Sequence, residues 1–316
     1  MSARPMRLLR SALVATLLLG LPSLADAADK TIRIGYQKYG NLLLLKQHGG
    51  LDARLKPLGY TAEWSEFPSG PPILEAMRAG AIDFGQTGDA PPIFAQAGRT
   101  DLVYVAAEPA APTGEAILVP KDSAIRSLAD LKGKRVALNK GSNVHFLYVK
   151  ALEKAGLAYS DVSAVFLAPA DARAAFERGA VDAWVIWDPY LASAQAATGA
   201  RTLATGEGLA GNIQFYLAEQ TFAAANPKAV GAIIDAVREV DDWEGAHPDE
   251  AAAELAEAIK LPQAVVATAL ARQAHGVAPL SPAVTAGQQE VADAFLALHL
   301  IPKKLDVSAV VWKPGT

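Results

Sequence analysis

Two stretches of this chain repeat one pattern in different side chains. Arg78-Ala79-Gly80-Ala81-Ile82-Asp83 leads on to Gly88-Asp89-Ala90-Pro91-Pro92, and Arg178-Gly179-Ala180-Val181-Asp182 leads on to Trp187-Asp188-Pro189-Tyr190. Gly80 and Gly179, Asp83 and Asp182, and Asp89 and Asp188 all align at one offset of 99 residues, with no gap. An aspartate ahead of a proline-bearing first turn predicts a helix start, its carboxylate capping free N–H groups. The repeat therefore predicts two similar α/β units, each ending a short strand in a helix whose N-terminus points out of the sheet. Two such units facing each other make a cleft.

The first 27 residues read as a cleavable signal peptide: Arg4, Arg7 and Arg10, an apolar run from Ala12 to Leu21, Pro22, then Ala25-Asp26-Ala27. The run is too short to be a transmembrane helix, and no later stretch is long and apolar enough to be one. Removing it takes away three arginines and Asp26, moving the formal charge from −4 to −6. The chain has no cysteine, which excludes disulfides, thiolate metal sites, a cysteine nucleophile and a lipid-modified N-terminal cysteine. A protein free in the periplasm of a Gram-negative cell, and monomeric, is expected. An acidic chain without a basic run offers nothing for nucleic acid. Half the residues are apolar and a fifth charged, which fits a globular chain long enough for two domains.

Thr31-Ile32-Arg33-Ile34-Gly35-Tyr36 alternates as a strand does; Leu42 to Lys46 begins a helix, and Tyr60 to Phe67 is a second strand. Pro71 and Pro72 open a helix, Ile82 to Gln86 is a third strand, and Asp89 starts another helix. The same order restarts at Arg135-Val136-Ala137-Leu138, with a helix through Phe146 and Leu152, a strand at Val162 to Leu167, a helix at Asp171 to Arg178 and a strand at Trp184 to Ile186. This β-α-β-α-β-α order is that of an α/β fold with a mostly parallel sheet in each lobe. Residues 108–116 and Gly206 to Asn212 are rich in proline or glycine and read as crossovers, and residues 226–300 read as nearly all helical. The expected division is 28–112 as lobe I, 113–212 as lobe II, and 213–316 returning to lobe I with C-terminal helices. Two connections between lobes are what a hinge-closing clamshell needs.

Enzyme signatures are absent or fail on context. Gly206-x-Gly208-x-x-Gly211 matches a dinucleotide pattern, but it precedes a strand-like stretch rather than a helix. The five histidines are scattered without ligand spacing, so neither a metal nor a cofactor is expected. Three helix starts instead lie beside small residues: Ser69-Gly70-Pro71, Gly88-Asp89-Ala90 and Gly141-Ser142-Asn143. Each carries roughly half a positive charge and is a ready anion site; three converging could hold a sulfonate, phosphate or nitrate with no arginine. Helix starts in α/β proteins are often only caps, and the repeat is what favours a shared crevice. Trp184 and Trp187 point to opposite faces of their strand, so one can be core while the other meets the cleft. Gln37 can reach across a cleft, whereas Lys38 is more often a solvated end. Asp89 and Asp188 cap first, and Asp188 could also meet a ligand's amine or hydroxyl. His145 fits capping or packing, and Glu115 is a weak candidate.

Four segments, Ile34-Gly35-Tyr36-Gln37-Lys38, Thr87-Gly88-Asp89-Ala90-Pro91-Pro92, Lys140-Gly141-Ser142-Asn143-Val144-His145 and Val181 to Tyr190, resemble the periplasmic aliphatic-sulfonate-binding proteins of ABC importers. The Ile301-Pro302-Lys303-Lys304 ending fits too, and the resemblance spans about residues 30–312. It implies a two-lobe periplasmic-binding-protein clamshell that captures alkanesulfonates and delivers them to an ABC membrane permease for sulfur uptake. It places the ligand against Gln37, Ser69, Gly70, Gly88, Asp89, Ser142, Asn143 and Trp184; Ala90 and Asp188 complete the candidate set. Related members bind taurine, nitrate, bicarbonate or thiamine-precursor pyrimidines, so fold alone does not choose the ligand. A periplasmic enzyme acting in the same cleft is the reading from a different class, and no nucleophile–base pair supports it.

Overall fold

A computed structural model describes residues 30–313; the signal-peptide reading of residues 1–27 lies outside the described residues. Ten strands form two five-stranded sheets. They are β1 (Lys30–Tyr36), β2 (Tyr60–Glu66), β3 (Phe84–Thr87), β4 (Leu102–Ala107), β5 (Glu115–Val119), β6 (Arg135–Leu138), β7 (Ser163–Phe166), β8 (Ala183–Trp187), β9 (Arg201–Thr205) and β10 (Phe215–Glu219). The sheet orders are β2-β1-β3-β10-β4 and β7-β6-β8-β5-β9. In each, the first three strands run parallel and the fourth is antiparallel to both its neighbours. The two orders are the same if β10 and β5 are exchanged, so each sheet receives its antiparallel strand from the chain just after a crossover. These are two mostly parallel lobes of one α/β clamshell.

The repeat has a common physical cause in both lobes. Asp83 accepts the Arg33 backbone N–H at 2.8 Å, and Asp182 accepts that of Arg135 at 2.7 Å. Each arginine also reaches the carbonyl of the repeat glycine, Arg33 to Gly80 and Arg135 to Gly179. The pattern thus pins the start of each lobe's first strand to the turn before its third.

Strand β4 lies outside the expected set of strands because all six of its residues are buried. A strand covered on both faces is a continuous apolar run without alternation. Glu115, placed in the crossover by its sequence, is instead the first residue of β5. The segments joining the sheets run side by side: Glu108 N–H to Gln214 O at 2.9 Å, Ala111 N–H to Gly211 O at 3.0 Å, and Gly206 N–H to Pro112 O at 2.8 Å. A Cβ at Gly206 would lie 2.6 Å from Ala210 O and 2.7 Å from Pro112 O. Gly206 of the dinucleotide-like pattern therefore serves close packing of the two crossover segments, while Gly208 takes a positive φ of 66°.

After β10, four longer helices bear out the helical reading of residues 226–300: Pro227–Ala246, Pro248–Ile259, Gln263–Leu270 and Pro282–Ala297. The first two cover the Asn41–His48 helix through Val230, Ile233, Val237 and Leu255, packed with Leu42 to Leu45. Gln263–Leu270 reaches the second lobe, where Val265 and Ala269 pack on Ala192. Pro282–Ala297 returns between the lobes, and its Phe295 lies 4.7 Å from Phe94 and 5.4 Å from His145, ring centre to ring centre.

Candidate ligand-binding site

Gly70, Gly88 and Asn143, one from each expected helix start, line a single cavity between the lobes. They lie at the starts of the helices Gly70–Arg78, Ala90–Ala97 and Asn143–Lys154. Gln37 and Asp188 line it as well. Ser69, Asp89, Ala90 and Ser142 sit directly beside these residues in the chain and are buried, but their side chains do not form that wall. The Ser142 hydroxyl turns away and donates to Asn139 O at 2.8 Å. The Asp89 carboxyl makes no regular cap bond to its helix. Burial drives it up to about 7 against the pull of the Ala90 and Asp89 N–H groups. Asp188 does cap, accepting the Ala192 N–H at 2.9 Å.

Trp184 is a correction. It is wholly buried in the second lobe's core, 5.9 Å from the Phe176 ring. It sits mid-strand, opposite Ala137 and Leu118, and three residues along a strand reverse the face. Trp187, at the strand's C-terminal end opposite Glu115, is the tryptophan that lines the cavity.

Linked amides and carboxylates form part of the remaining wall and the layer behind it. Gln37 Nε2 donates to Gln86 O at 3.3 Å, and Gln86 Nε2 to Glu108 Oε1 at 2.7 Å. Glu108 Oε1 also accepts from Tyr216 at 2.6 Å and Asn41 at 3.3 Å. Burial still pushes Glu108 up to about 7. On the facing lobe, Asn143 Nδ2 donates to Glu115 Oε2 at 2.7 Å and Asn212 Oδ1 at 3.0 Å. Asn212 in turn donates to Ala111 O at 2.9 Å. Burial raises the Glu115 carboxyl, and the nearby Asp89 charge adds to this. Asp188 is pushed up to about 6 by burial, opposed by Arg272. The cavity encloses about 40 Å³, room for roughly three water-sized groups. A second cavity of about 200 Å³ adjoins it, sharing Gln37, Tyr39 and Trp187 and walled by Phe67, Pro68 and Tyr190. A small chamber carrying amide, carboxylate and guanidinium groups thus adjoins a wider one walled by aromatic rings.

His145 is a packing residue. Its Nδ1 accepts the Gly141 N–H at 3.2 Å and its Nε2 faces Tyr159 Oη at 2.8 Å. Burial, helped by Lys140, lowers it to about 4, so the ring is neutral and Nε2 is the donor. Lys38 pairs with Glu66 at 3.3 Å in an exposed position at the wider chamber.

A family model described as NMT1/THI5 like matches residues 68–251. A solved structure of the alkanesulfonate-binding protein SsuA from Xanthomonas axonopodis pv. citri, bound to MOPS, is 43% identical, with a TM-score of 0.86 covering 90% of this chain and 99% of that one. The periplasmic aliphatic sulphonate binding protein SsuA of Escherichia coli is 42% identical, with a TM-score of 0.83 covering 91% and 93%. This chain belongs to the aliphatic-sulfonate-binding protein family. An aliphatic sulfonates-binding protein of Bacillus subtilis is 35% identical over 284 residues, 89% of this chain and 86% of that protein.

In this family member, several cavity residues have no signal in the sequence that points to them. Arg272 follows the Gln263–Leu270 helix, and its Nη1 lies 3.2 Å and 3.1 Å from the two Asp188 oxygens. The helix starts read as able to hold an anion without an arginine; Arg272 nevertheless lines the chamber, because tertiary packing brings that helix to the second lobe. Gln86 had a local sign, a buried amide near the C-terminal end of the third strand. Asn212 and Gln214 lie on the crossover, where polar residues read as loop.

Proposed function

We propose that this protein is a periplasmic solute-binding protein that captures an alkanesulfonate between its lobes and delivers it to an ABC permease. The observation that carries the reading is the convergence of Gly70, Gly88 and Asn143, from both lobes, with Arg272 on one small chamber. Each helix start contributes about 0.3–2 kcal/mol to holding an anion, more where water is excluded. Gln37 and Arg272 offer side-chain donors, while Ser69, Asp89, Ala90 and Asn143 offer main-chain N–H groups at the same helix starts; the Ser142 N–H is bonded to Asn139 O at 3.3 Å. The alkyl group extends past Trp187 into the aromatic chamber, where each buried methylene adds roughly 0.8 kcal/mol. The names of the similar proteins support the same cargo, and one of them was solved with MOPS, itself a sulfonate. The lobe division at residues 112/113 and 212/213, a cleaved signal peptide, release without a lipid anchor, and a monomeric state belong to this reading. So does binding without turnover, in keeping with the names of the similar proteins, which are those of binding proteins.

A thermal-shift panel of methane-, ethane- and butanesulfonate with taurine, nitrate and sulfate tests it. Stabilisation by the alkanesulfonates, growing with chain length, is expected. No response to any sulfonate would sink the reading.

A further inference from the structure

Arg272 is the one cation among the described residues lining the chamber, and it shares that wall with two carboxylates, Glu108 and Asp188. Its Nη1 meets both oxygens of Asp188, a side chain 1% exposed, and its Nη2 donates to Gln195 Oε1 at 2.9 Å. The pair crosses the cleft. Asp188 follows β8 of the second lobe, whereas Arg272 leads into the segment whose Ala278 bridges Ala107 of the first. An incoming anion therefore meets a guanidinium already matched by a buried carboxylate. What holds the anion is then chiefly dipolar: helix starts and amides.

We propose that Asp188 is a charge filter, which by holding Arg272 leaves the chamber able to take a monoanionic head group and unable to take a dianion. This rests on the reading that a sulfonate occupies the chamber. The physical reason is a difference in scaling. Attraction to fixed dipoles and charges grows in proportion to the ligand's charge, while the cost of stripping its water grows as the square. With Asp188 offsetting Arg272, the field suffices for a sulfonate and falls short for sulfate or a phosphate. Neutralising Asp188 makes the field more positive by one charge, and a dianion gains twice what a monoanion gains.

Calorimetric titration at pH 7.5 of wild type and Asp188→Asn with ethanesulfonate and with sulfate tests the filter. The asparagine substitution keeps an oxygen for the Ala192 N–H. Wild type is expected to prefer ethanesulfonate by at least about 100-fold, and Asp188→Asn to tighten ethanesulfonate by about threefold to tenfold and sulfate by at least about tenfold more than that. Equal shifts for both anions, or no shift, would overturn the filter while leaving the sulfonate reading intact. A wild type that binds no alkanesulfonate would instead defeat the reading beneath it. Circular dichroism confirms the fold, and if the asparagine variant does not fold, Asp188→Ser, which also retains a capping oxygen, carries the same expectation.

Discussion

Gly88 of one lobe and Asn143 of the other meet so closely that a Cβ added at Gly88 would stand 2.8 Å from the Asn143 Cβ. No ordinary side chain fits that gap, so the closed arrangement of the two helix starts depends on glycine here. Gly88→Ala is expected to hold the lobes apart, weakening alkanesulfonate binding by about tenfold or more while changing ligand-free stability by under roughly 1 kcal/mol. Titration calorimetry reads the first quantity and urea unfolding the second. Small-angle scattering with saturating ligand should show a larger radius of gyration than wild type.

The two tryptophans of β8 should separate stability from binding. Trp184→Ala removes a fully buried ring and is expected to cost about 3–5 kcal/mol of stability in urea unfolding. Trp187→Ala removes a ring shared by both chambers. It should cost far less stability, and should weaken butanesulfonate by about tenfold but methanesulfonate by much less.

Stability should fall as pH rises. Burial holds Glu108 and Asp89 up at about 7 and Glu244 at about 8, whereas carboxyls in the unfolded chain titrate near 4. The folded state therefore keeps protons that the unfolded state releases. The stability these groups contribute is fully present below about pH 4 and is lost progressively up to about pH 8. Urea unfolding at pH 5.5 and 8.5 should differ by on the order of a few kcal/mol. Glu244→Gln, which removes a charge beside Glu108 and Asp241, should flatten the profile.

The paired anchors of the repeat should differ in weight. Asp83 and Asp182 hold the same backbone N–H in each lobe, but the Asp83 side chain is 11% exposed and that of Asp182 36%. Asp83→Ala should cost about 1–3 kcal/mol in urea unfolding and Asp182→Ala about 1 or less, since screening weakens the exposed pair.

The architecture was legible where local chemistry and tertiary role coincide. Arg33 with Asp83 and Arg135 with Asp182 leave the same turn sequence at one offset, and that offset gives two lobes. Gly70, Gly88 and Asn143 are legible because a helix start beside a small residue means the same thing wherever it packs. Trp184 and Trp187 were not separable, because alternation gives opposite faces without saying which face is covered. Arg272 was invisible, since its role comes from the Gln263–Leu270 helix crossing to the second lobe. Glu108 and Asn212 lie in segments read as crossovers from their proline and glycine, a signal that does not say which polar side chain faces a site.

Anomalous diffraction from crystals grown with 2-bromoethanesulfonate tests the central claim most directly, because the bromine marks the tail and density beside it marks the head group. The expected result is one site between the lobes, with sulfonate oxygens within hydrogen-bond distance of the Gly88 and Asn143 main chain and the Arg272 guanidinium, and bromine beside Trp187. A sulfonate bound outside that chamber, or no bound sulfonate at saturating concentration, would contradict it.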